Sequence, residues 1–321
     1  MILIVTPVVA ASDSGNGVTA RRWARLLTGL GHRVTVAQRY PADGRFTALI
    51  ALHARKSAAS VRAFRADHPH APVVVALTGT DLYPDLASTG VDPAVLSMAD
   101  RMVVLQPDGI GQLPAALRHR ARVVVQSSEA TGPVPALADR FEVAQLAHLR
   151  EVKDPLLLAA AVRLLPASSR IVATHVGEAR DDAYGEAARA ESATNPRYTW
   201  LGPVPRDEAL HLLARSRLTV LASRHEGGAN VVSEAIAAGT PVLCSRIPGS
   251  VGLLGPDYLG YFETGDASDL AAKLHAAETD TDGFYERLRE HCAAMQPMVD
   301  PHRERESWSR LLAELDLGVH V

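Results

Sequence analysis

The stretch LTVLASRHEGGANVVSEAIAAGTP, residues 218–241, sets the reading of the whole chain. Leu218 to Ser223 is a short apolar run of the kind that forms a buried strand, and from Asn230 onward small and apolar residues recur at helical spacing. Gly227 and Gly228 let the backbone come close to a ligand, and the first N–H groups of the helix, near Ala229 to Val231, lack partners within it. A strand, a glycine turn and a helix start together make a seat for a phosphate. Glu226 precedes the turn and Glu234 lies about two helical turns further on, so both carboxylates can face one cavity. The spacing is equally compatible with a capping acid and a surface acid on an ordinary strand-turn-helix.

Outward from this segment, apolar runs alternate with helical patterns, which predicts α/β architecture with parallel sheets covered on both faces. In the first half the expected strands are Ile2 to Thr6, Arg33 to Ala37, Ala48 to Leu52, Val73 to Leu77, Arg101 to Leu105 and Arg122 to Gln126. Helices are expected at Thr19 to Leu30, Ser57 to Asp67 and Pro93 to Met98. Gly132, Pro133 and Pro135 mark a linker over residues 128–140. The pattern then restarts with strands at Phe141 to His148, Ser169 to Val176, Tyr198 to Leu201, Leu218 to Ala222, Pro241 to Cys244 and Gly260 to Phe262. That restart predicts two doubly wound, Rossmann-like domains, 1–127 and 141–300, with a cleft between them and ligands beyond the carboxyl ends of the strands. A last helix, about Arg303 to Leu315, has no strand before it and is expected to cross back to the first domain.

Composition narrows the function. The 321 residues are 47% apolar and 21% charged with a net charge of −3, which fits a soluble globular protein with no global field to attract nucleic acid. No apolar run is long enough to span a bilayer, and Met1 to Pro7 enters a strand without a basic leader, so the expected compartment is the cytoplasm. Cys244 and Cys292 lie far apart in apolar or helical patterns and are expected to be buried thiols.

An anion site must therefore be local, and three rims offer one. Gly15, Asn16 and Gly17 (GNG) precede a helix expected to begin at Thr19 and form a turn able to approach a phosphate. With Ala20 they also match a G-x-G-x-x-A dinucleotide fingerprint, but the loop Pro7 to Ser14 intervenes and the second strand ends in Gln38 and Arg39 where an acid is required. At the end of the third strand stand His53, Arg55 and Lys56, and at the end of the fourth Thr78, Gly79, Thr80 and Asp81, where Asp81 is suited to cap the next helix. The second half places His148, Arg150 and Lys153 after its first strand. Lys153 beside a diphosphate would neutralise charge building on a leaving nucleotide. No His, Cys or carboxylate cluster has metal-ligand spacing, and no cofactor is expected. Asp181 and Asp182 read as a solvated loop.

The segment Glu226 to Glu234 resembles the E-x7-E motif of the large retaining glycosyltransferase family with the GT-B fold, and the restart of the pattern and the returning last helix agree with that likeness. More narrowly, GNGVTARRWARLL (15–27), ALHARKSAAS (51–60), LTGTDLY (77–83), HLREVKDP (148–155) and SRHEGGANVVSEA (223–235) resemble the selenosugar synthase family of selenoneine biosynthesis. The resemblance implies transfer of the sugar of a UDP-sugar, UDP-N-acetylglucosamine foremost, to selenophosphate. It implies Glu234 on the ribose hydroxyls, Glu226 on hydroxyls of the donor sugar, the backbone of Gly228, Ala229 and Asn230 on sugar and diphosphate, and Lys153 on the diphosphate. The wider family has an arginine directly before the leucine of HLREVK. Here that position is His148, and the arginine is Arg150.

The acceptor chemistry can be read separately. The selenium of selenophosphate is already a good nucleophile, so its site needs cations and N–H donors more than a general base. Gly15 to Gly17, Arg55, Lys56 and Thr80 supply the former, and His53 leaves an alcohol acceptor open. A nucleotide-sugar epimerase and a non-catalytic sugar-nucleotide binding protein are the readings from other classes.

Overall fold

In the computed structural model, residues 1–8, 14–130, 132 and 134–318 are described; residues 9–13 of the expected loop Pro7 to Ser14 and residues 131 and 133 of the expected linker lie outside them. The described residues form twelve strands: β1 (Ile2–Val5), β2 (Val34–Ala37), β3 (Ala48–Leu52), β4 (Val73–Leu77), β5 (Arg101–Val104), β6 (Ala121–Val123), β7 (Phe141–Leu146), β8 (Ile171–Val176), β9 (Tyr198–Trp200), β10 (Leu218–Leu221), β11 (Val242–Ser245) and β12 (Tyr261–Phe262). They form two six-stranded sheets of order β2-β1-β3-β4-β5-β6 and β12-β11-β10-β7-β8-β9. All neighbours are parallel, for example Leu3 opposite Leu49 and Val143 opposite Ala173. Such strands are covered on both faces, which is why VVVAL and ILIV are unbroken apolar runs, buried at every position.

The described residues divide into two compact units: Met1–Gln126 with Glu226–Asn230 and Pro301–Val321, and Ser127–His225 with Val231–Asp300. In the first unit, helix Gly15–Gly29 places Ala20, Trp23 and Leu27 on one face of the sheet with Ile2, Ile4 and Ile50. This helix begins four residues before the expected Thr19, because Ser14 caps it by accepting the Gly17 N–H at 3.4 Å. Helix Pro301–Ala313 covers the same face, with Trp308 edge-on to Trp23 at a centroid distance of 4.7 Å. Pro301 opens that helix where its missing N–H costs nothing. Helix Ala58–Asp67 covers the opposite face through Val61 and Phe64.

Strand order locates the sites. The first sheet reverses direction between β1 and β3, the second between β7 and β10, and ligands of open parallel sheets bind beyond the strand ends at such points. The loops after β3 and β7 are those that carry HARKS and HLREVK. Cys244 and Cys292 are buried free thiols, which burial pushes up to about 12. No described helix is long and apolar enough to cross a membrane. Asp181 is not a loop acid but the N-cap of helix Asp182–Thr194, accepting the Ala183 N–H at 2.9 Å.

Candidate active site

In the first unit the chain leaves β3 through His53, whose φ of 68° is left-handed and uncommon for a residue with a Cβ. Asp81, fully buried, holds that turn by accepting the Ala54 N–H at 2.7 Å. Its other oxygen accepts the N–H groups of Thr78 and Gly79, each at 2.9 Å. Asp81 therefore ties the ends of β3 and β4 together and does not cap the next helix, Pro93–Ser97, which Asp92 caps. The buried His53 ring lies between this carboxylate, 3.6 Å from Nδ1, and the Thr80 hydroxyl, 3.3 Å from Nε2. Burial holds its pKa below the ordinary value; Asp81 acts in the opposite direction, and Lys56 and Arg55 add to the lowering. Arg55 donates to the Thr89 carbonyl at 3.0 Å, while Lys56 is exposed at the same rim.

Gly15, Asn16 and Gly17 form the first turn of their helix, and the Gly15 carbonyl accepts from the Asn230 amide at 3.3 Å. The motif loop Glu226–Asn230 clusters with the first unit. A Cβ on Gly227 would stand 2.7 Å from the Gly79 nitrogen and the Thr78 carbonyl carbon, and one on Gly228 would stand 2.6 Å from Leu105 Cβ. In the structure the space the two glycines leave is taken by the chain itself, at the ends of β4 and β5.

In the second unit, Arg150 is exposed and Lys153 half-buried on a short 3-10 turn, Glu151–Lys153, that Asp154 ends in a left-handed conformation (φ 44°). Val152 accepts the Arg224 N–H at 2.9 Å, and Asp154 accepts the Arg224 guanidinium at 2.8 Å. These bonds stitch the turn carrying Lys153 to the segment leaving β10. His148 Nδ1 accepts the Glu178 N–H at 3.2 Å, so the proton of the neutral ring sits on Nε2. Burial holds its pKa below the ordinary value, helped by Arg180, Arg150 and Lys153 and opposed by Glu178. Three cations thus surround one neutral imidazole beyond β7 and β8. Val231 and Glu234 are buried in helix Asn230–Ala238, and the Glu234 carboxylate, 6% exposed, accepts from Arg206 at 2.6 Å.

Each unit gathers its own share of the expected residues: His53, Arg55, Lys56, Thr80, Gly15 to Gly17, Glu226 to Gly228 and Asn230 in the first, and Arg150, Lys153, Val231 and Glu234 in the second. Ala229 is buried between Gly228 and Asn230. Sequence reasoning missed Arg180, Arg206 and Arg224. It also missed Arg22 and Glu304, which form a buried ion pair at 2.9 Å. The last two had a signal. Glu304 begins the stripe Trp308, Leu311, Leu312 and Leu315, and Arg22 interrupts the stripe of Thr19, Trp23 and Leu27; a charge on an apolar stripe needs a partner.

The chain is similar in fold to Anabaena Alr3699/HepE, solved in complex with UDP and glucose, at 16% identity and a TM-score of 0.76, covering 98% of this chain and 99% of that one. It is also similar to the sucrose-phosphate synthase of Thermosynechococcus elongatus (15% identity, TM-score 0.78, 98% of each chain). The glycosyltransferase of Rickettsia africae ESF-5 is a third such structure (13% identity, TM-score 0.77, 98% of each chain). These likenesses establish the GT-B fold of two parallel six-stranded sheets with surrounding helices. No curated protein sequence matches the chain. Residues 119–295, more than half of the sequence, match the family described as glycosyl transferases group 1, and the chain belongs to that family.

Proposed function

We propose that this protein transfers the sugar of a UDP-sugar, UDP-N-acetylglucosamine foremost, to selenophosphate, giving a selenosugar, UDP and phosphate. The observation that carries the donor half is the stitching of the Lys153 turn to the segment leaving β10 at the switch point of the second sheet, with Arg150 and Arg180 beside it. A nucleoside diphosphate suits that arrangement: cations meet the phosphates, and the buried Glu234 carboxylate, oriented by Arg206, accepts from the ribose hydroxyls. UDP is bound in the related Anabaena structure, which supports a uridine nucleotide here. Glu226 and the backbone of Gly227, Gly228, Ala229 and Asn230 take the donor sugar.

The acceptor falls to the first unit, where Gly15 to Gly17, Arg55, Lys56 and Thr80 offer N–H, hydroxyl and cationic groups to a small oxyanion. In the reaction the bond from the anomeric carbon to the diphosphate oxygen breaks, its electron pair leaving with UDP toward Lys153. Selenium supplies the pair for the new carbon–selenium bond. Water then cleaves the selenium–phosphorus bond, giving phosphate and the seleno-sugar. His53, held neutral by burial, donates or accepts one hydrogen bond at the acceptor without having to remove a proton.

One observation favours a second reading: a neutral imidazole 3.6 Å from a buried carboxylate is also the arrangement of a general base, which suits an alcohol acceptor. Mass spectrometry of the products from UDP-N-acetylglucosamine and UDP-glucose, each with selenophosphate, thiophosphate, phosphate or no acceptor, separates the readings. The proposal expects UDP and a selenium-containing sugar only with selenophosphate. A donor epimerised without acceptor, or UDP released with every acceptor but selenophosphate, contradicts it.

A further inference from the structure

Arg22 of the first unit gathers a cluster of buried polar side chains: Thr19, Gln126 and Glu304. Its Nε donates to both Glu304 oxygens, at 2.9 and 3.3 Å, its Nη1 to the Asn230 side-chain oxygen at 2.9 Å, and its Nη2 to Gln126 Oε1. Gln126 Oε1 also accepts the Thr19 hydroxyl at 2.7 Å, and its Nε2 donates to the Gly228 carbonyl at 2.7 Å. Trp23 Nε1 also donates to Glu304, at 2.7 Å. Arg22 is 8% and Glu304 2% exposed. Two ions are costly to take out of water, and an apolar pair would fill the same space without that cost, so stability alone is a weak reason for the pair. What the charges add is geometry: a rigid fork that reads three partners at fixed angles.

Two of the chains of bonds that leave this fork end on the motif loop, one directly at Asn230 and one through Gln126 at the carbonyl of Gly228. We propose that Arg22, held in place by Glu304 of the last helix, is a positioning residue that sets the conformation of the Glu226–Asn230 loop, and that the last helix thereby controls how the donor sugar is held. The inference rests on the reading of that loop as the sugar-binding loop. Glu304 acts through Arg22 and touches no substrate. The nucleotide is assigned to Lys153 and Glu234 of the second unit, whereas the bonds of the fork are made within the first.

The test compares the full-length wild type with Arg22→Lys, which keeps the charge but loses the fork, and Glu304→Gln, which keeps the shape. Hydrogen exchange of the 226–230 amides is expected to quicken at least tenfold in both variants, with the strands of the second unit unchanged. For Arg22→Lys, kcat/KM for the UDP-sugar is expected to fall at least tenfold while the Kd for UDP stays within twofold. In an Asn230→Ala background the same substitution is expected to change kcat/KM by a clearly smaller factor than in the wild type, since the direct route to the loop is gone and only the one through Gln126 remains. If Glu304→Gln does not fold, the Arg22→Lys and Asn230→Ala cycle decides alone. Unchanged exchange at 226–230, a parallel loss of UDP affinity, or effects that multiply independently in the double variant would overturn the proposal. A wild type that turns over no UDP-sugar instead sinks the glycosyltransferase reading, and the exchange comparison still decides whether Arg22 fixes the loop.

Discussion

The loops after β3 and β7 are built from similar letters, HARK and HLREVK, at equivalent switch points of their sheets, yet they are anchored in opposite ways. The first is held by a buried carboxylate: Asp81 takes three backbone N–H groups and stands 3.6 Å from His53. The second is held by a buried neutral imidazole. His175, fully buried, donates from Nε2 to the Ala147 carbonyl at 2.9 Å, directly before His148, and pairs Nδ1 with the Tyr198 hydroxyl at 2.8 Å. An acidic anchor offsets the cations of its loop, whereas the neutral one adds no charge of its own beside Arg150, Lys153 and Arg180, of which Arg180 pairs with Glu178 at 2.7 Å. The anchoring of each loop is thus set by a residue distant in sequence.

Two changes break that contrast, and a third outside both loops gives a scale for them, in decreasing order of effect. Asp81→Asn leaves at least one of the three N–H groups facing an NH2, so unfolding in urea should show a loss of about 3 kcal/mol, with the turn at His53 loosened. The second anchor should fail in acid. Burial depresses the His175 pKa from 6.5 to about 4, so the folded state binds fewer protons than the unfolded chain between those values. Its contribution is complete above pH 6.5 and is lost as pH falls toward 4, so stability should drop by about 2 kcal/mol from this group between pH 7 and pH 5. Urea titrations at the two pH values check this, and a flat profile counts against a neutral anchor.

The smallest effect belongs to a carboxylate outside both loops. Glu314 accepts from Arg122 and Arg101, at 2.9 and 2.7 Å, and these bonds lower its pKa to about 2. Its contribution is present above the ordinary 4.5 and lost as pH falls toward 2. Because the group is a third exposed, Glu314→Gln should cost less than about 1 kcal/mol, and high salt should erase the difference.

Much of the fold was legible because parallel strands buried on both faces announce themselves as apolar runs. Ala48–Leu52 and Val73–Leu77 have the ends read from sequence, whereas β1, β5, β7 and β10 stop one or two residues early, where the chain turns into rim loops. Helix Gly15–Gly29 started early because glycines read as a turn can still occupy the first turn of a capped helix. The identity of the rim residues was also legible, since they sit at strand ends. Their partners were not. Asp81 with Ala54, Gly227 with Thr78 and Gly79, and Arg22 with Asn230 and Glu304 are contacts across large sequence separations that no local pattern encodes. Only the charges on the apolar stripes of Arg22 and Glu304 gave warning that a partner was required.

The central claim is that the first unit receives a small oxyanion acceptor while the second grips the nucleotide. Steady-state kinetics of Lys56→Ala and Lys153→Ala, with selenophosphate and UDP-sugar varied in turn, test it most directly. Lys56→Ala should raise the KM for selenophosphate by about tenfold or more with the KM for UDP-sugar nearly unchanged, a loss of one charged contact. Lys153→Ala should instead lower kcat by roughly a hundredfold, with weaker UDP binding, as expected when charge on a leaving group loses its partner. Equal effects of both substitutions on both substrates would contradict the division of labour between the two units.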